Sequence, residues 1–193
     1  MARPRSFDED TVLRGAMHAF RRSGFAAASV KELEEATGLS AGSLYNRFGD
    51  KHGLFDAAFA HYLRAVLEKR IATHADPSLG LAGVRKLFLT LLAEPRGERH
   101  GCLITNSAIE FGAAGAKRES AVQHGFEILR TALQERLAQA RAAGVLARAI
   151  DPAVAAVKLV ALYQGVLVLF RSGFDRRELA RAIELEFDTL ERR

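Results

Sequence analysis

The chain has 193 residues, 49% hydrophobic and 26% charged, a globular balance with enough apolar material for one domain or two small ones. A formal net charge of +5 permits a polyanionic partner without requiring one, because total charge carries no information on position. The single cysteine, Cys102, excludes an intrachain disulfide framework, and the opening MARPRSFDED lacks the apolar core of a secretory signal, so a cytoplasmic protein is expected.

In chain order, residues 8–23 place Val12, Ala16, Ala19 and Phe20 on one helical face, with Asp8, Glu9 and Asp10 where the helix dipole favours negative charge. Gly24 stops this helix. Ser29 is the expected N-cap of a second helix over Val30–Thr37, Gly38 ends it, and Ser40 caps a third over Ala41–Phe48. Asp50 opens a longer fourth helix carrying Leu54, Phe55, Ala58, Phe59, Tyr62 and Val66. Beyond Pro77 the spacing predicts helices over Leu79–Leu92, Cys102–Gly112 and Ser120–Ala143, the first two separated by EPRGERHG (94–101). Asp151-Pro152 begins another that runs to Phe170, and Arg176–Leu190 is the last, with Leu179, Ile183, Phe187 and Leu190 in register. Pro152–Phe170 is the most apolar run, but Lys158 and Gln164 make it marginal for a membrane span and better suited to a buried interface helix, and no membrane partner is expected. The pattern is all-α, about nine helices without a strand or repeat: four short-to-medium helices, then five resembling a bundle.

Helices two and three, joined by a tight Gly-Leu-Ser turn, have helix-turn-helix proportions, in which the second helix enters the DNA major groove by its N-terminal end. Ala41, Gly42 and Ser43 are small, as a close approach to DNA requires, while Leu44 and Phe48 are expected to point inward. Tyr45 and Asn46 supply hydroxyl and amide groups for phosphates or base edges. Lys51, at the start of the fourth helix, adds charge beside backbone N–H groups, a suitable phosphate site. Basic and acidic side chains nearly balance over residues 1–55, where Arg3 and Arg5 are among the basic ones, so charge alone does not mark this region.

The run AMHAFRRSGFAAASVKELEEATGLSAGSLYNRFGDKHGLFDAAF, within residues 9–62, resembles the N-terminal domain of the TetR family of bacterial transcriptional regulators. The Gly-Phe that ends the first helix, the SVKELEEATGLSAGSLY core and the F-x-x-K-x-x-L that follows carry the likeness. Two positions depart from it: Arg47 stands where the family often has His, and His52 where it often has Glu. The resemblance implies a helix-turn-helix DNA-binding domain over 1–55 and a helical ligand-binding and dimerisation domain over 56–193. Its expected DNA surface comprises Ser29, Lys31, Ser40, Ala41, Gly42, Ser43, Tyr45, Asn46, Arg47 and Lys51. It also implies a homodimer on an inverted repeat in double-stranded DNA, repression relieved by a small-molecule effector, and a four-helix dimer interface from the last two helices of each chain. Leu167, Phe170, Ile183 and Phe187 are the residues expected on or near that interface.

Asn106, Glu110, His124, Tyr163 and Gln164 are polar or amphipathic residues on otherwise apolar helices, and they are the candidates for orienting an effector in a pocket. Cys102 stands at the predicted start of a helix, the positive end of its dipole, with Arg99 and His100 nearby. A similar Gly-Cys-Leu start occurs in TetR-family members that respond to electrophiles or oxidants, which makes Cys102 a candidate thiol sensor and the alternative a packed core residue. No P-loop, dinucleotide fingerprint, serine elbow or metal-spaced His/Cys cluster is present, so neither catalysis nor a cofactor or metal is expected. A protein-binding helical adaptor is the remaining alternative.

Overall fold

The computed structural model describes residues 8–93, 100–112 and 116–191, the last segment with side chains from Ser120 onward. Arg3, Arg5 and Arg99 lie outside the described residues. The helices are α1 (Glu9–Ser23), α2 (Val30–Thr37), α3 (Ala41–Phe48), α4 (Lys51–Tyr62), α5 (Lys69–His74), α6 (Gly80–Leu89), α7 (Leu103–Phe111), α8 (Ala116–Ala142), α9 (Pro152–Arg171) and α10 (Arg176–Leu190). A π-helical segment, Leu63–Glu68, joins α4 to α5 end to end, and 3-10 turns Pro77–Leu79 and Thr90–Ala93 flank α6. Among the described residues there is no strand; an isolated bridge pairs Leu146 with Glu191. The fold is all-α, as the periodicity predicts. The caps read from the sequence, Ser29, Ser40 and Asp50, are in place, each accepting a first-turn N–H, and Asp8, Asp151 and Asp175 do the same for α1, α9 and α10.

Compactness divides the chain into residues 1–66 with 103–119, and residues 67–102 with 120–193. This division differs from segments 1–55 and 56–193: α7 packs with α1 and α4 although it follows them by dozens of residues. The boundary at Val66 falls inside the π-helical segment.

In the first unit, α1 contributes Val12, Leu13, Ala16, Met17, Ala19 and Phe20 to the core, α2 contributes Leu33, α3 Leu44, and α4 Leu54, Phe55, Ala58 and Phe59. Phe55 is the centre of a ring cluster, with centroids 5.1 Å from Phe20, 5.4 Å from Phe25, 5.2 Å from Phe111 and 5.8 Å from Phe59. The first three contacts are edge-on, the arrangement favoured by ring quadrupoles. α1 and α2 cross so closely that a Cβ on Gly15 would lie 2.0 Å from the Ala36 carbonyl oxygen.

In the second unit, Phe88 of α6 meets the rings of Tyr163 on α9 and Phe187 on α10 edge-on, at 5.4 and 5.3 Å. Leu87, Leu91, Leu133, Leu137, Leu159, Val166 and Ile183 are also buried in this unit. Arg85 of α6 reaches three carboxylates near the end of the chain, Glu184 and Glu191 at 2.8 Å and Asp188 at 3.1 Å. Among the described residues, α9 alone has the length and apolarity to cross a membrane. Here its inner face forms core against α6 and α10, and Lys158 pairs with Glu186 of α10 at 2.8 Å.

Replacing Gly15 with alanine is expected to destabilise the chain by about 1–3 kcal/mol, since backbone must move to admit the methyl. Urea unfolding measures this; an unchanged midpoint would mean that α1 and α2 cross at a greater distance than described.

Candidate nucleic-acid interface

The surface is built by the caps that fix α2 and α3. The Ser29 hydroxyl accepts from the Glu32 N–H at 3.1 Å and starts α2, and Gly38, at φ 70°, closes it in the left-handed region that glycine adopts without Cβ strain. Ser40 caps α3 through the Ser43 N–H at 3.4 Å. A second bond, invisible in the sequence, reinforces this start: the Ala41 N–H donates to the Glu34 carboxylate at 2.6 Å, joining α2 to the first turn of α3. Leu44 is buried and Phe48 half-buried, as expected for the inward edge of α3, and this orientation leaves Gly42, Ser43, Asn46 and Arg47 exposed with Ala41 and Tyr45 half-buried.

The opening turn of α3 is therefore smooth, and Gly42 explains why. A Cβ there would meet no atom within 4 Å beyond its own helix, in contrast to Gly15, where the fold itself excludes one. A helix-interior glycine costs roughly 0.5–1 kcal/mol relative to alanine, and no neighbour in the chain requires it.

The basic residues of this surface are partly engaged. Arg47 donates through Nε to Glu9 of α1 at 3.1 Å and forms an ion pair with it, so this guanidinium is tethered while still about half exposed. Lys51 donates to the Ala26 carbonyl at 3.2 Å, and its ammonium stands 5.0 Å from the centroid of the Phe25 ring. Lys31 is 85% exposed and only loosely paired with Glu35 at 3.9 Å. Glu32 accepts from Ser23 at 2.7 Å and from Arg22 at 2.6 Å; the Ser23 hydroxyl, then Arg22, holds its carboxyl below the usual value. Sequence reasoning missed Glu9, Glu34 and Glu32 as supports because each acts on a residue too distant for capping or helix-pair spacing to indicate.

The five residues read as an effector pocket are distributed differently. Asn106 donates to the Arg21 carbonyl at 3.1 Å, and Glu110 accepts from the N–H groups of Phe25 and Ala26 at 2.7 and 2.5 Å, so both are engaged with the end of α1 and the loop after it. In the second unit Tyr163 is core, against Phe88, and Gln164 is half-buried. His124 borders an open concavity of about 430 Å³, lined by Glu127, Ile128, Thr131, Ala132 and Glu135 of the same helix, which neither Tyr163 nor Gln164 reaches. Cys102 is 3% exposed and directly precedes α7.

Leu167, Phe170, Ile183 and Phe187 are 7, 2, 0 and 0% exposed. They lie in the core of their own unit, on α9 and α10, the two helices expected to form the dimer interface. α9 is apolar on both sides. On the outer side Val154, Val157 and Val168 are 69, 58 and 44% exposed, with Ala161 and Gly165 on the same stripe. Leu185 of α10 is 67% exposed.

Comparison with known proteins agrees with this architecture. Residues 12–58 match the family model of bacterial regulatory proteins of the tetR family, and residues 80–185 match that of the tetracyclin repressor-like C-terminal domain. Over 180 residues the chain is 26% identical to the HTH-type transcriptional repressor ComR of Escherichia coli K12, covering 92% of this chain and 86% of that protein. It is 28% identical over 182 residues to the HTH-type transcriptional repressor AcnR of Corynebacterium diphtheriae, covering 93% and 90% respectively. Among solved structures, a cysteine mutant of the TetR family regulator CifR complexed with 26-bp double-strand operator DNA aligns with a TM-score of 0.83 at 28% identity, covering 98% of this chain and all of that one. With the helix-turn-helix segment matched, and the C-terminal model covering more than half of the sequence, the chain belongs to the TetR family of bacterial transcriptional regulators.

Proposed function

We propose that the protein is a transcriptional repressor that binds an inverted-repeat operator as a homodimer and leaves it when a small molecule binds among the C-terminal helices. The observation that carries this reading is Gly42: an exposed glycine in the first turn of α3, with no packing reason inside the chain, suits a helix start pressed against base edges. Ser43, Tyr45 and Asn46 stand beside it as groups for bases and phosphates, with Ser29, Lys31, Ser40, Arg47 and Lys51 around them as backbone contacts. The operator complex of the CifR mutant and the repressors among the relatives support the same direction. Such a protein works in the cytoplasm, on the chromosome.

The homodimer rests on the outer stripe of α9. Val154, Val157, Ala161, Gly165 and Val168 fall on one side of the helix, and a Cβ on Gly165 would meet no atom within 4 Å outside its own helix. A second copy packed there gives the exposed valines a partner and lets two α9 helices approach closely at the small residues. Two α3 helices then serve half-sites about 34–36 Å apart. The effector is a modest organic molecule, and a change in this spacing on binding releases the DNA. Cys102 offers an electrophile route to the same end, with the thiol reached only as the helices around it open.

Gly42→Leu is expected to abolish specific binding, a loss of about a hundredfold or more, while the protein keeps its unfolding midpoint. Lys51→Ala weakens binding to all duplexes alike and lowers the slope of log affinity against log salt by about one; a changed base preference at constant slope would contradict its phosphate role.

Val157→Asp is expected to give folded monomers in sedimentation, whereas Leu167→Asp buries a charge and destabilises the chain by several kcal/mol. A wild type that sediments as a monomer overturns the dimer. An alkylating quinone should release DNA from wild type and spare Cys102→Ser; equal release from both assigns the thiol to packing.

A further inference from the structure

We propose that Glu110 is a positioning residue for DNA binding: its carboxylate, supplied by α7, fixes the loop from which the helix-turn-helix begins. The inference rests on the reading of α2, α3 and Lys51 as the DNA surface. α1 ends at Gly24, whose φ of 82° turns the chain so that the next two N–H groups, of Phe25 and Ala26, converge on one anion. Successive N–H groups presented in this way form a concave anion site, and the Glu110 carboxylate fills it at 2.7 and 2.5 Å. A Cβ on Gly24 would stand 3.1 Å from Glu110 Oε2, so the glycine serves both the turn and the approach of the carboxylate. One turn earlier on α7, Asn106 bonds the Arg21 carbonyl at 3.1 Å, and the Phe111 ring lies 5.3 Å from that of Phe25.

The peptides held by Glu110 are the ones on which the DNA surface depends. Ala26 gives its N–H to Glu110 and its carbonyl to Lys51. Phe25 gives its N–H to Glu110 and its ring face to the Lys51 ammonium, with His52 4.6 Å away. Three residues beyond Ala26, Ser29 caps α2, and Glu32 returns to Ser23 and Arg22 to close the loop on the far side. Removal of the carboxylate leaves two N–H groups without their acceptor and loosens both the start of α2 and the anchor of Lys51. Glu110 itself touches none of the residues assigned to base edges, so its effect must pass through the loop.

The test measures three full-length proteins against the duplex that wild type selects from random DNA and against a scrambled duplex. Glu110→Ala is expected to lose at least about tenfold in affinity for the selected duplex, or about 1.4 kcal/mol. Its salt slope is unchanged, because no phosphate contact is removed. Hydrogen exchange at the Phe25 and Ala26 amides accelerates, while the α9 and α10 amides keep their wild-type protection. Glu110→Gln, which retains an acceptor oxygen, should restore affinity to within about threefold of wild type. The inference is overturned if Glu110→Ala binds the selected duplex within twofold of wild type, or if the affinity loss comes with exchange that rises throughout the chain and the glutamine variant restores nothing. A wild type that selects no duplex overturns the DNA-binding reading itself, and this inference with it.

Discussion

The packing around Phe55 is the constraint on which the first unit depends. Its ring meets Phe20 of α1, Phe25 of the following loop, Phe59 of its own helix and Phe111 of α7. A buried phenylalanine is worth roughly 1.5–3 kcal/mol in area alone, and edge-on pairs add to that. Three distant pieces of chain therefore share one apolar centre. The polar contacts at its border, from Glu110, Asn106 and Lys51, are held in register by rings that have little freedom to slide.

On that support the helix-turn-helix is tied by short bonds rather than by apolar mass. α2 and α3 each bury few side chains, with Leu33 and Leu44 the principal ones. Their directions are set by Ser29, Ser40 and Glu34 at the helix starts and by Glu32 across to α1. Such an arrangement leaves the outer face of α3 free for chemistry, and it makes that face sensitive to whatever holds the preceding loop. The glycines contrast: Gly15 is demanded by a backbone 2.0 Å away, whereas Gly42 and Gly165 face open space.

The second unit follows a different rule. Phe88, Tyr163 and Phe187 form its aromatic centre, and Arg85 binds the end of α10 through three carboxylates. Its core is filled, and the exposed residues of α9 include a strip of valines and small residues. That strip is the surface on which the proposed dimer rests.

The sequence by itself determined the helices, most of their ends and the character of the α3 face, because these depend on local chemistry: cap residues, glycine stops and the 3.6-residue period all act within a few positions. Several linked motifs over residues 9–62 likewise made the family resemblance readable. Only the tertiary structure decided that α7 packs with the first unit, that Glu110 serves the loop after α1, and that Arg47 is tied to Glu9. Each depends on residues tens of positions apart, whose meeting no local period encodes. The same limit explains α9 and α10. The sequence shows that Leu167 and Val168 are both apolar, but a helix apolar on two sides does not say which side its own chain covers, and only the packed structure shows Leu167 inward and Val168 outside.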